Sequence, residues 1–145
     1  MKVVLQRVKH ASCTVDGKLI SEIKEGYLLL VGFKIDDQIT NIQKIASKIK
    51  KLRVFSDSEG KMNLNIDAIG GEMLSISQFT LYADTDNGAR PSFTASAKYN
   101  DAIELYKVFN DELRKLGLTV YEGIFGADMK IDLLNDGPVT ILFEN

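Results

Sequence analysis

Few side chains in this sequence could make or break a covalent bond, and their scarcity narrows the chemistry. There is one histidine, His10, and one cysteine, Cys13. A single cysteine forms no internal disulfide, which suits a reducing compartment. The pair falls short of the three protein ligands of a catalytic zinc site unless carboxylates join it, and no H-E-x-x-H or C-x-x-C spacing is present. G-x-S-x-G, Walker and G-x-G-x-x-G patterns are also lacking. Catalysis is therefore expected to need no metal, no nucleotide cofactor and no Ser-His-Asp set.

Three polar groups interrupt otherwise apolar stretches. Arg7 shares a strand face with Val3 and Leu5. A buried guanidinium there would need a partner, whereas an edge-strand arginine would pack its stem and reach water. Ser77-Gln78-Phe79-Thr80 sets polar side chains inside an apolar strand, leaving hydroxyls and backbone N–H groups to a ligand wherever the strand bends. Threonine is also simply a good strand former. Asn135-Asp136-Gly137-Pro138 reads as a turn between two strands, and a Gly-Pro bond is among those able to adopt cis.

Strands are expected near 2–9, 18–23 and 27–33, the first two joined by an Asp16-Gly17 turn. Ile39, Ile42, Ile45, Ala46, Ile49 and Leu52 mark one face of a helix near 37–51, with Asp36 or Asp37 as its cap. Glu72 to Tyr82 alternates as a strand, and residues 87–91 form a loop. A second helix near 97–116 turns Tyr99, Ala102, Tyr106, Phe109 and Leu113 inward and stops at Gly117. Three short strands near 118–122, 128–134 and 139–143 follow. The expectation is one α/β layered domain over 1–145, in β-β-β-α-β-α-β-β-β order. Its mixed, partly barrel-like sheet would be covered by two main helices.

The chain has 145 residues, 45% of them hydrophobic, and a length of this order buries roughly 68–70% of the unfolded surface. Its longest apolar run, Tyr27 to Val31, cannot span a bilayer, and no signal-peptide pattern follows Lys2. A soluble, cytoplasmic protein is expected. Net charge −2 with a pI near 5.4 argues against long stretches of nucleic acid as partner, so no DNA and no membrane are expected. Residues 44–61 nevertheless carry six basic against two acidic side chains, a solvated helix face or a small phosphate footprint.

Taken together, several segments resemble the D-aminoacyl-tRNA deacylases. They are Gln6-Arg7-Val8, Gly60-Lys61-Met62-Asn63-Leu64, Ser77-Gln78-Phe79-Thr80-Leu81, Arg90-Pro91-Ser92-Phe93, Phe125-Gly126-Ala127-x-Met129 and Asn135-Asp136-Gly137-Pro138-Val139-Thr140. The resemblance runs in order over nearly the whole chain. It implies a homodimeric cytoplasmic hydrolase that cleaves D-aminoacyl-tRNA and glycyl-tRNA at the tRNA 3′ end, without a cofactor. It further implies that Gly137-Pro138 enters the partner's pocket as a cis element excluding L side chains, with Arg7 holding that loop. Ser77 would face the aminoacyl ester, with Gln78, Phe79 and Thr80 as catalytic positioning groups and backbone donors. Phe125 and Met129 would line the pocket. Glu122, Cys13 and the loop Asn87 to Arg90 depart from the family pattern.

Thr80 as a nucleophile would need a base, and none is evident in the sequence. Assistance by the tRNA's own adjacent hydroxyl is the reading the resemblance favours. The alternative is a small-ligand-binding regulatory dimer without catalysis.

Overall fold

The structure, a computed structural model, describes residues 1–86 and 88–145. Asn87, part of the expected loop, lies outside the described residues. β1 (Lys2–Val15) and β2 (Lys18–Ile23) form a hairpin, and β3 (Gly26–Gly32) follows. Asp16 and Gly17 turn that hairpin with φ of 49° and 76°, the left-handed backbone that Asp-Gly turns supply. α1 (Ile39–Lys51) leads to a short hairpin of β4 (Phe55–Ser56) and β5 (Met62–Leu64). Then come β6 (Glu72–Ser77), α2 (Tyr99–Lys115), β7 (Thr119–Glu122) and β8 (Lys130–Glu144).

The main sheet runs β2-β1-β3-β6-β7, with β8 paired to β1. The β3–β6 and β6–β7 pairs are parallel and the others antiparallel, so the sheet is mixed as expected. β1 pairs with β3 through Val8 and with β2 from Ala11, while β8 follows its other side with breaks between Gln6 and Val8 and between Val8 and Ala11. This handover curls the sheet, and Ser21 Oγ on β2 donates to Glu122 O on β7 at 2.9 Å, bringing the sheet close to a barrel.

Two apolar clusters result. Ile42, Ile45, Ala46 and Ile49 of α1 and Phe109 and Leu113 of α2 pack on Val3, Leu5, Tyr27, Leu29 and Val31. Inside the curl, Val8, Ala11, Cys13, Leu28, Leu74 and Ile76 form the second cluster. β3 therefore carries apolar side chains on both faces, which is why its sequence does not alternate.

The structure changes several local expectations. The strand expected to reach Tyr82 stops at Ser77, and Phe79–Tyr82 is a 3-10 turn. Its partner explains the stop: Val31 pairs with Ser77, Gln78 N–H donates to Val31 O at 2.7 Å, and β3 ends one residue later. Gly32 permits the turn, because a Cβ there would lie 2.8 Å from Gln78 O. Neither Asp36 nor Asp37 caps α1, whose N-cap is Gln38. Asp37 is buried instead, accepting the Met1 ammonium at 2.6 Å and Lys34 N–H at 2.9 Å. Tyr99, placed inward from its spacing, is 60% exposed. The last two expected strands form one, β8, and Asn135-Asp136-Gly137-Pro138 is an excursion within it rather than a turn between strands.

Candidate active site

The end of β6 and the start of α2 leave an open cavity of 580 Å³ between them. Ser77, Gln78 and Phe79 form one wall, and Phe125, Gly126 and Met129 face them from the segment before β8. The sequence-derived positions on these two motifs therefore converge, apart from Thr80, which does not line the cavity. Phe93 and Tyr99 complete an aromatic rim: Phe93 meets Phe79 edge-on at 4.9 Å, and Tyr99 meets Phe125 at 5.2 Å. Sequence reasoning gave these two no site role. Phe93 follows Arg90-Pro91 in a quoted motif, but Tyr99 carried only the signal of a helix's core face.

Behind the wall, Tyr106 fixes β6. Its hydroxyl donates to Ser75 O at 2.8 Å, and Gly123 N–H reaches the same oxygen at 3.1 Å. The Tyr106 ring also packs on Phe125, with centroids 5.7 Å apart. Burial pushes the Tyr106 hydroxyl up to about 12, so it stays a neutral donor.

The 3-10 turn starts at the cavity wall, where Phe79 stands. Phe79 and Thr80 open it, and their N–H groups have no acceptor among the described residues. Such first-turn N–H groups are free to meet an oxyanion. Gln78 Nε2 donates to Thr80 Oγ1, and that amide is the Thr80 hydroxyl's neighbour rather than a base. His10 lies 3.7 Å from Asp132 on the exposed strand surface and lines no part of the cavity. Among the described residues no three His, Cys, Asp or Glu side chains converge.

Arg7, Gly137 and Pro138 sit elsewhere. Arg7 is 8% exposed, so the buried alternative holds. Its Nη1 donates to Val54 O, and its Nε donates to Asp136 O at 2.9 Å and stands 3.3 Å from the Asp136 carboxylate. The β1–β8 ladder jumps from Gln6–Thr140 to Val8–Asn135, leaving residues 136–139 opposite Arg7 alone. Within that excursion the Gly137-Pro138 bond is cis, both residues are exposed, and Asn135 Oδ1 accepts Val139 N–H at 2.9 Å. Neither residue lines the cavity of its own chain.

A profile of the family described as D-Tyr-tRNA(Tyr) deacylase matches residues 4–144. The chain belongs to that deacylase family. A D-aminoacyl-tRNA deacylase of Deinococcus radiodurans is 51% identical over 144 residues, covering 99% of both chains. Among solved structures, a c-Myc DNA unwinding element binding protein superposes with a TM-score of 0.93 at 38% identity, over 100% of this chain and 99% of its own. A probable eukaryotic D-amino acid tRNA deacylase has the same fold, with a TM-score of 0.85 at 15% identity, covering 98% and 97%. The cavity and the excursion thus belong to a deacylase-family chain.

Proposed function

We propose that this enzyme hydrolyses the ester joining a D-amino acid to the 3′ end of tRNA, and that it works as a two-fold dimer. The observation that carries the dimer is the separation just described. The cavity holding Ser77, Gln78 and Phe79 stands open, while Gly137-Pro138 projects exposed from another part of the same chain. In an isologous pair each subunit would give this loop and receive its partner's. One apolar side chain supports such a contact: Leu142, paired with Val4 on the face of the sheet away from the helices, is 59% exposed in the single chain.

In this reading the partner's Gly137 and Pro138 carbonyls accept the substrate's amino group, and the Phe79 and Thr80 N–H groups meet the ester oxygen. Water adds to the ester carbonyl, and the negative charge forms where those two N–H groups point. The carbon–oxygen bond to the ribose then breaks, and the proton passes to the leaving ribose oxygen. The ribose hydroxyl beside the ester assists, since the side-chain partner of the Thr80 hydroxyl among the described residues is the Gln78 amide, which is not a base. An L side chain would run into the Gly137-Pro138 backbone, a D side chain would point to open space, and glycine would have nothing to exclude.

The test compares rates on D-Tyr-, L-Tyr- and Gly-tRNA, alongside sedimentation. D-Tyr- and Gly-tRNA should be cleaved by a dimer with L-Tyr-tRNA spared. An active monomer, or L-Tyr-tRNA cleaved as fast as D, would refute the shared pocket.

A further inference from the structure

The cations on the outer face of α1 differ from those on α2. On α2, Lys107 pairs with Glu104, Lys115 with Glu112, and Arg114 with Asp111 and Glu122. On α1, Lys44, Lys48 and Lys51 are exposed at positions that share one helical stripe, and among the described residues none has a carboxylate in ion-pair reach. Lys50 points elsewhere, to Asp67 and Leu116 O. Arg53, one residue past the C-cap Leu52, is exposed as well. Its Nε donates to Asn63 O at 2.7 Å, which fixes the guanidinium on β5 and leaves its terminal nitrogens without a protein acceptor among the described residues. In a chain of net charge −2, four uncompensated cations along about 10 Å of helix and its exit are a local exception.

The position of the stripe gives it meaning. Arg7 donates to Val54 O, one residue beyond Arg53, and to Asp136 O, one residue before Gly137. A single guanidinium therefore ties the exit of α1 to the Gly137-Pro138 excursion, so the two move as one piece of the subunit.

We propose that Lys44, Lys48, Lys51 and Arg53 form a phosphate-binding track for the RNA stem beside the aminoacylated 3′ end. The subunit that lends Gly137-Pro138 to the occupied pocket would supply it. This rests on the deacylase reading and adds where the substrate's body lies. Phosphate contacts of this kind position a nucleic acid without reading its sequence, and they weaken with salt.

The experiment uses the K44Q/K48Q/K51Q variant and two esters, full-length D-Tyr-tRNA and a D-tyrosylated CCA trinucleotide. With tRNA, KM should rise about tenfold, and the slope of log kcat/KM against log salt should become shallower by about 2–3. The trinucleotide should be cleaved as by the parent enzyme, and K107Q/K115Q should leave both esters unaffected. An unchanged KM for tRNA, or an equal loss on the trinucleotide, overturns the track. If the parent enzyme cleaves neither ester, the deacylase reading itself fails, and the track with it.

Discussion

Arg7 and Asp136 meet across the first and last strands, with the Arg7 Nε proton on the Asp136 carbonyl at 2.9 Å and the Asp136 carboxylate at 3.3 Å. The guanidinium fork reaches Val54 O as well, so one planar group fixes two backbone segments at once.

Arg7→Lys keeps the charge and loses the fork. One of the two carbonyls would be left without its donor in a buried site, at a cost of about 1–3 kcal/mol. Thermal unfolding should register that loss. Deacylation should fall further than stability alone explains, because the Gly137-Pro138 excursion loses its anchor. A lysine variant with full activity on D-Tyr-tRNA would refute the anchoring role.

Gly137→Ala tests the same excursion from the other side. Gly137 has a φ of 129°, and a Cβ there would lie 2.8 Å from Arg7 Nη2. Alanine should cost about 1–3 kcal/mol of local strain. Its turnover of D-Tyr-tRNA should drop at least about tenfold, measured where the protein remains folded by circular dichroism.

Thr80→Ala should retain substantial deacylation. The Thr80 hydroxyl accepts from the Gln78 amide, which is not a base, whereas the backbone N–H at this position survives the substitution. Activity at background with tRNA binding and fold unchanged would instead support Thr80 as the nucleophile.

Alkaline pH should destabilise the fold through its buried phenols. Burial raises Tyr106 from 10.0 to about 12, and burial raises Tyr27 as well. Above the unfolded value the folded state holds more protons than the unfolded one, so stability falls as pH rises from about 10 towards 12. Each phenol contributes at most about 1.4 kcal/mol per pH unit. Tyr106→Phe should flatten part of that slope in denaturant midpoints measured across this range.

Much of the fold was legible because burial writes a period into the chain. In the α1 stripe Ile42, Ile45, Ala46 and Ile49 are buried as their spacing implies, although Ile39 at the helix start, placed on the same face, is 52% exposed, and β3 is apolar on both faces because cores lie on both sides. The place of Arg7 beside Val3 and Leu5 left a buried guanidinium and an edge-strand one both open, and its hydrogen bonds to Val54 O and Asp136 O decide for burial. What was hidden depended on partners far along the chain. The alternation of Glu72 to Tyr82 continues past Ser77 unbroken, and only the end of β3 stops the strand. Asp37 has a cap's identity and position, yet the Met1 ammonium takes it. Tyr99 has the spacing of a core residue, but the cavity beneath it leaves its ring at the rim.

The pairing of β1 with β8 also governs when the molecule becomes itself. Lys2 faces Glu144 and Thr14 faces Lys130, so this ladder joins residues almost as distant in sequence as the chain allows. Contacts of such separation close late and slowly, since the entropy of the intervening loop is lost before they form. The hairpin β1–β2 and the two helices can organise locally, but Arg7 meets Asp136 only when β8 arrives. In the dimer proposed above, a subunit has a formed Gly137-Pro138 excursion to lend only after this ladder has closed, so completion of each chain's fold precedes assembly of a filtered pocket.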